Sequence, residues 1–381
     1  MIYLDNSATT NKKPFCVKKE VFLSTLKRNS ANPNRSGYKI SSRLASKILN
    51  VRESLTQYFN CENIENCIFT SGCTESLNLA ILSTYIKGGH VITTSYEHNS
   101  VLRPLHQLQK EGKISLTILN PNKNGEITLL DIENAIKANS YLIACTFTSN
   151  VTGYTNQIKE IGDICKKHNL LFLVDCAQSG GHESIDMQKL NIDFLALAGH
   201  KGFYSLTGIG ALLVSDRGKK ILKPIKFGGT GTQSNSLVQP EDFPDAFESG
   251  TCNTTGILSL GAGLKFVQKN QDKINNKIYD LTKYLIENLK EIKGIIIYPN
   301  NNLNAGVISF NINKFPSNEV GNYLSDNYNI CVRTGLHCAP LIHKFYGTLE
   351  NGMVRVSLSY FNKKKDINKL IYALKNLTNQ V

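Results

Sequence analysis

The sequence has no apolar run approaching the ~20 residues that a membrane-spanning helix requires, so no place in a bilayer is expected for it. Its start, MIYLDNSATT, lacks a basic segment followed by an apolar stretch and does not read as a secretory leader. It reads as a short strand entering a turn, and the cytoplasm is the expected compartment. Ten cysteines are present, but no C-x-x-C pair and no paired spacing of the zinc type, so no metal is expected. Cysteines scattered through a long, unexported chain are expected to be buried thiols rather than disulfides. Acidic residues are outnumbered by basic ones, 30 to 43, for a formal net charge of +13. The lysines are thinly spread and often lie beside asparagine, as in NKK, KKHN and NKKKDINK. No basic stripe interleaves with aromatics and no nucleic-acid-binding motif occurs. A solvated surface with some attraction for small anions is therefore expected, not a nucleic-acid partner. Internal repeats and low-complexity tracts are also missing.

What is present is core-forming sequence. Of 381 residues 41% are hydrophobic, enough for two domains or one large and one small. Seven short runs read as strands: CIFT (67–70), HVITTS (90–95), SLTILN (115–120), YLIACTFTSN (141–150), LLFLVDCAQ (170–178), FLALAGHK (194–201) and GIGALLVS (208–215). Most are nearly continuous in apolar character, as strands buried on both faces are. Amphipathic segments such as LLDIENAIKANS and IKEIGDICKKHN alternate with them, which predicts an α/β fold with a mostly parallel sheet between helices. GIGALLVS follows its predecessor too closely for a crossover helix and is expected to pair antiparallel. After about residue 255 a long, interrupted helical region gives way to IIIYP, AGVISFNI, NICVRTG and MVRVSLSYF, then a closing amphipathic helix. The expected organisation is a large domain over 16–255 and a smaller α+β domain made of 1–15 and 256–381.

In an open parallel sheet, ligands collect beyond the carboxyl ends of the strands, and the unusual polar residues fall there. Ser71, Gly72, Cys73 and Thr74 join a strand to a helix start and offer backbone N–H groups for a phosphate; the same residues cap helices with no ligand. Asp175 ends an apolar strand, with Gln178 three residues on. A carboxylate there needs a partner, such as a protonated pyridine nitrogen, or serves as a helix cap. His200 and Lys201 end another strand. A desolvated lysine suits a Schiff base, whereas a turn lysine points to water. His98 ends a third and would stack on a planar ligand, move protons or be structural. Together a phosphate cradle, an imine-forming lysine, an acid for a ring nitrogen and a stacking imidazole describe one ligand, pyridoxal 5′-phosphate (PLP).

The order of these motifs resembles the class V aminotransferase family of fold-type I PLP enzymes, and within it the cysteine desulfurases and selenocysteine lyases with a short catalytic-cysteine loop. The likeness spans the chain: YLDNSATT (3–10), NPNRSGYKIS (32–41), TSGCTESLNLAI (70–81), EHNS (97–100), SNVTGYTNQIKEI (149–161), VDCAQSGGHESIDMQKLNIDFLALAGHKG (174–202), FESGTCNT (247–254), VRTGLHCAP (332–340) and VRVSLSYFN (354–362). The resemblance implies that Lys201 forms the imine with PLP, that Asp175 holds the pyridine nitrogen, and that Gln178 and Asn150 lie near the ring oxygen. His98 would cover the ring, with Cys73, Thr74 and His200 about the phosphate. Thr251 would reach the phosphate of a neighbouring subunit, implying a homodimer. Arg355 would clamp the substrate carboxylate, with Arg333 and Asn32 nearby. Ala198 stands where the family often has a serine or threonine, and Tyr38 where a histidine is common.

The implied activity is conversion of L-cysteine to L-alanine with a persulfide left on Cys338, and His98 relaying protons. A selenocysteine lyase acting on L-selenocysteine, or a class V aminotransferase of a small amino acid, are the alternatives. The sulfur acceptor, a protein or a small thiol, is not specified by the sequence. Gly335 and Pro340 bound a tight loop around Cys338. Arg333 and His337 are expected to make its surroundings positive, favouring thiolate and lowering the Cys338 pKa.

Overall fold

The computed structural model describes residues 1–26, 31–33 and 37–379. Asn34, Arg35 and Ser36, in the middle of NPNRSGYKIS, lie outside the described residues. A short strand, β1 (Ile2–Tyr3), and helices α1 (Phe15–Ser24) and α2 (Lys39–Tyr58) open the chain. Seven strands then form one sheet: β2 (Cys67–Thr70), β3 (Gly89–Thr94), β4 (Ile114–Leu119), β5 (Ser140–Thr146), β6 (Leu171–Asp175), β7 (Phe194–Ala198) and β8 (Gly210–Val214). They are linked by α3 (Cys73–Thr84), α4 (Asn99–Lys110), α5 (Leu129–Ala135) and α6 (Ile158–Lys167). The sheet order is β2-β8-β7-β6-β5-β3-β4. Every pairing is parallel except the two made by β8, which turns straight back from β7 as the short link requires.

Both faces of this sheet are covered, which is why its strands read as unbroken apolar runs. Along β6, Phe172 and Val174 join one core with Leu55 and Phe59 of the α2 region, while Leu171 and Leu173 join the other with Leu77 of α3 and Leu105 of α4. Each such side chain contributes about 1.5–3 kcal/mol on full burial. Because β2, β3, β5, β6 and β7 run the same way, their carboxyl ends share one edge.

A short turn of helix, α7 (Asp216–Lys219), precedes the 37-residue α8 (Thr254–Lys290), which bends at Asn270 (φ −126°) where that side chain bonds back to the Phe266 carbonyl. The early residues of α8, Leu258 to Ile278, pack in the core of the large sheet; Leu281, Leu285 and Leu289 pack in a separate one. That third core lies under an antiparallel sheet of order β12-β13-β10-β9, from β9 (Ile295–Ile297), β10 (Val307–Ile312), β12 (Arg333–Gly335) and β13 (Met353–Ser357). β11 (Ile330–Cys331) pairs in parallel with β1. Helices α9 (Ser317–Tyr328), α10 (Pro340–Phe345) and α11 (Lys364–Thr378) complete the chain. Leu4 belongs to this third core, so the first residues are folded with the last hundred. Among the described residues no helix is long and apolar enough to cross a membrane.

Candidate active site

A cavity of about 250 Å³ opens at the carboxyl edge of the large sheet, and Cys73, Thr74, His98, Asn150, Asp175, Gln178, Ala198, His200 and Lys201 line it. Burial lowers the Lys201 amine below the ordinary lysine value, against the opposing pull of Asp175 and Cys73. Asp175, at the end of β6, accepts the Ala177 N–H (2.8 Å) and the Cys73 thiol (3.3 Å). Both bonds fall on Oδ1, and among the described residues Oδ2 makes none. Burial, reinforced by the Asp175 charge, pushes the Cys73 thiol well up, so it remains a donor.

No side chain caps α3, which leaves N–H groups of its first turn open to an anion. The cradle is smaller than the sequence suggested: the Ser71 N–H is already taken by the Glu75 carboxylate at 2.6 Å. The Thr74 hydroxyl bonds to Ser100 (2.8 Å), whose own hydroxyl meets Nδ1 of His98 (2.8 Å). That Nδ1 also accepts the Ser100 N–H at 3.0 Å, so Nε2 carries the ring proton. Burial lowers the His98 pKa and keeps the ring neutral. His200 is likewise neutral, pushed down to about 4 by burial, with Nδ1 buried and unpartnered. Gln178 gives one amide N–H to the Ser7 carbonyl (3.1 Å) and Asn150 gives one to the His337 carbonyl (2.7 Å). Each amide retains a second N–H.

Asn32, Thr251, Arg333, Cys338 and Arg355 do not line this cavity. The Cys338 loop is nonetheless tied to its rim: the Asn99 N–H, next to His98, donates to the Cys338 carbonyl at 2.7 Å, beside the Asn150–His337 bond. Cys338 is exposed, and both His337 (φ 49°) and Cys338 (φ 56°) are left-handed, a conformation that costs each about 1–2 kcal/mol. The loop begins at Gly335 (φ 96°), whose backbone lies 2.5 Å from where a Cβ on Gly352 would sit. One expectation is corrected here. His337 turns inward, 5% exposed, with its ring centroid 5.4 Å from that of His343 and the two planes tilted by 37°, and burial drives its pKa down to about 2. A neutral ring lends no positive charge to Cys338, and Arg333, the other basic residue of this segment, is exposed.

Arg355, on β13, is 3% exposed and already has an acid: Nη2 bonds to Asp5 at 2.7 Å, and Nη1 to the Asn150 carbonyl at 2.9 Å. Its Nε is fully buried with no partner among the described residues. Arg333 stands directly across from it in the β12–β13 register, a like-charge pairing that Asp5 offsets. Thr251 is exposed and lines a neighbouring cleft that shares Ser71 and Glu75 with the main cavity. The Asn32 carbonyl accepts from Ser41 (2.8 Å). Sequence reasoning passed over Asp5, Glu97, Asn99 and Ser100. Asp5, an acid in the apolar opening YLDNSA, was the one with a visible signal. Among the described residues there is no cluster of His, Cys, Asp and Glu placed to hold a metal.

A mostly parallel sheet with an imine-capable lysine and a buried aspartate at its carboxyl edge is the architecture of fold-type I PLP enzymes. The chain belongs to the Aminotransferase class-V family, whose model matches residues 2–370; members of this family use PLP. A relative from Pyrococcus abyssi, named probable cysteine desulfurase, is 34% identical over 99% of this chain and 94% of its own length. The cysteine desulfurase of Yersinia pseudotuberculosis is 31% identical over 99% of this chain and 93% of its own. The solved apo structure of cysteine desulfurase from Thermococcus onnurineus NA1 has a TM-score of 0.93 at 31% identity, covering 100% of this chain and 95% of that one.

Proposed function

We propose that this chain is a PLP-dependent cysteine desulfurase that converts L-cysteine to L-alanine and leaves the sulfur as a persulfide on Cys338. The observation that carries the reading is the docking of the Cys338 loop on the rim of the cavity that holds Lys201 and Asp175. The donor set fits the cofactor: a lysine shifted toward its neutral form, a carboxylate with Oδ2 unused, an uncapped helix end and a neutral imidazole. Bound there, PLP would supply an aldehyde for the Lys201 amine and a ring that withdraws electrons from the substrate Cα. Asp175 would accept from the ring nitrogen, and Thr74, with the first turn of α3, would hold the phosphate. Cys73 packs beside Asp175, and Gln178, Asn150 and His200 keep N–H groups or ring nitrogens for the remaining oxygens.

Arg355, with Arg333 across from it on β12, would take the substrate carboxylate, with Asn32 nearby. The Lys201 amine would remove the Cα proton, and His98 would relay protons through Nε2. The Cys338 sulfur attacks the substrate sulfur and the Cβ–S bond breaks. L-cysteine and one protein thiol become L-alanine and one protein persulfide, with no oxidant needed. An acceptor thiol, on a protein or a small molecule, then removes the outer sulfur at the exposed loop. Lysine-rich surface and buried thiols suit a cytoplasmic setting. A large unit, 16–255, and a small one, 1–15 with 256–381, would flank the site, and Thr251 would complete it from a second copy of the chain.

The test is borohydride reduction with PLP followed by peptide mapping, together with alanine release from L-cysteine by wild type and Cys338→Ser. Reduction is expected to mark Lys201, and Cys338→Ser to lose at least ~100-fold in alanine formation, as removal of a nucleophile does. A reduced adduct elsewhere, or full activity without Cys338, overturns the reading. Retained turnover of L-selenocysteine by Cys338→Ser would move it to a lyase.

A further inference from the structure

We propose that Lys13 is a positioning residue for Lys201: together with Thr10 it clamps the carbonyl oxygen of His200 and so fixes the peptide unit from which the Lys201 side chain springs. The inference rests on the reading of Lys201 as the residue that binds PLP. Donors from one short segment converge on that oxygen: the Thr10 N–H at 3.2 Å, the Thr10 hydroxyl at 2.9 Å, Lys13 Nζ at 3.2 Å and the Thr9 hydroxyl at 3.5 Å. Lys13 also donates to the Thr10 hydroxyl at 2.7 Å, which turns that O–H toward His200. A carbonyl oxygen has two lone pairs, so this convergence exceeds what its hydrogen-bonding capacity alone requires.

The rest of the turn is held by the large sheet itself. The Gly199 N–H donates to Ile209 and the Lys201 carbonyl accepts from Tyr204 at 3.0 Å. The His200 carbonyl is the point in this turn that residues 9–13 hold from outside. Lys13 has no acidic partner among the described residues. A half-buried ammonium resting on a hydroxyl and a peptide carbonyl gains little for folding by itself. What it does gain is directional: a charged donor is stronger and stiffer than a neutral one, and it acts one bond away from the residue whose aim matters. An amine that must meet an aldehyde carbon loses rate when its approach is spread over more orientations. Burial lowers Lys13 to about 8, so near neutral pH it still carries its proton.

The experiment uses PLP-free full-length protein of wild type, Lys13→Met, Lys13→Arg and Lys12→Met. Imine formation with added PLP is followed by absorbance, and the trapped site is mapped after borohydride. Lys13→Met is expected to slow capture on Lys201 roughly ten-fold, the effect of losing one charged hydrogen bond, and to shift the pH midpoint of the absorption band. Lys13→Arg is expected to restore most of the rate, and Lys12→Met, one residue away and exposed, to behave as wild type. Capture by Lys13→Met at the wild-type rate with an unshifted spectrum overturns the proposal. Failure of wild type to capture PLP at position 201 sinks the functional reading instead. If circular dichroism shows Lys13→Met unfolded, Lys13→Gln, a neutral donor of similar reach, is read in the same way. Loss of folding in both variants, or wild-type capture by Lys13→Gln, overturns a positioning role.

Discussion

Glu97 lies fully out of water behind the cavity, accepting from the Thr94 hydroxyl at 2.7 Å and the Thr146 N–H at 2.9 Å, with Oε2 unpaired. Burial is the largest influence on it and raises its pKa from 4.5 to about 8. The folded protein thus keeps a proton that the unfolded chain releases above pH 4.5. This residue's contribution to stability is complete below that pH and is lost as pH rises through 8. Between pH 6 and pH 9 the wild type is expected to lose roughly 3 kcal/mol more than Glu97→Gln, whose amide cannot ionise. Thermal midpoints of both proteins across that range check it; parallel curves would mean that Glu97 is already charged. Nothing in the letters EHNS marks this carboxylate as protonated, because its burial comes from strands β3 and β5. The misread charge of His337 has the same cause. RTGLHCAP reads as a basic loop until the fold turns the imidazole inward against His343. Lys201, Asp175 and His98, which the structure brings to one cavity, were legible as candidates because each ends or closely follows an apolar strand, where a polar group must face a ligand or a partner.

At the scale of elements, the Cys338 loop is a strained connection between β12 and α10, held down by neighbours rather than by its own sequence. Two left-handed non-glycine residues in succession favour relaxation, and the bonds from Asn150 and Asn99 oppose it. Asn150→Ala removes one of these. Amide exchange in residues 335–340 is expected to speed by roughly ten-fold, the equivalent of one buried hydrogen bond, with β13 unchanged. Unchanged exchange in the loop would show that Asn99 and the Gly335–Gly352 approach suffice. The strands of the large sheet were readable one by one, since burial on both faces writes itself as continuous apolar sequence. The antiparallel return of β8 was readable from the shortness of its link. The parallel pairing of β1 with β11, more than 300 residues apart, was not: two-residue strands carry no periodicity, and their register is set by the core around Leu4. The bonds from Thr10 and Lys13 to the His200 carbonyl likewise join residues far apart in the chain, and nothing local in the sequence announces them.

At the scale of the molecule, the exposed segment ahead of α8 is the feature a single chain leaves unexplained. Phe227, Leu237 and Val238 stand 71%, 105% and 75% exposed, and the Gly229 carbonyl accepts from Gly250, next to Thr251. Apolar side chains held this far into water suit a covered surface, and a second copy of the chain is the occupant that would bring Thr251 to the partner's phosphate site. A net charge of +13 opposes association, but salt screens it over about 8 Å at physiological ionic strength. Leu237→Asp is therefore expected to shift sedimentation toward the monomer and to weaken PLP retention together. The sharper test uses two impaired variants. Lys201→Ala has no imine-forming amine of its own, and Thr251→Val should hold PLP roughly ten-fold more weakly, the loss of one hydrogen bond to a charged group. If Thr251 acts across the dimer, a mixed pair contains one complete site, with Lys201 from the Thr251→Val subunit and Thr251 from the other. Cofactor retention and alanine formation should then reach about half the wild-type level in the isolated mixed dimer, and complete sites about a quarter of the wild-type number in an equal mixture after random subunit exchange. If Thr251 acts within its own chain, no mixture contains a complete site, and mixing restores nothing.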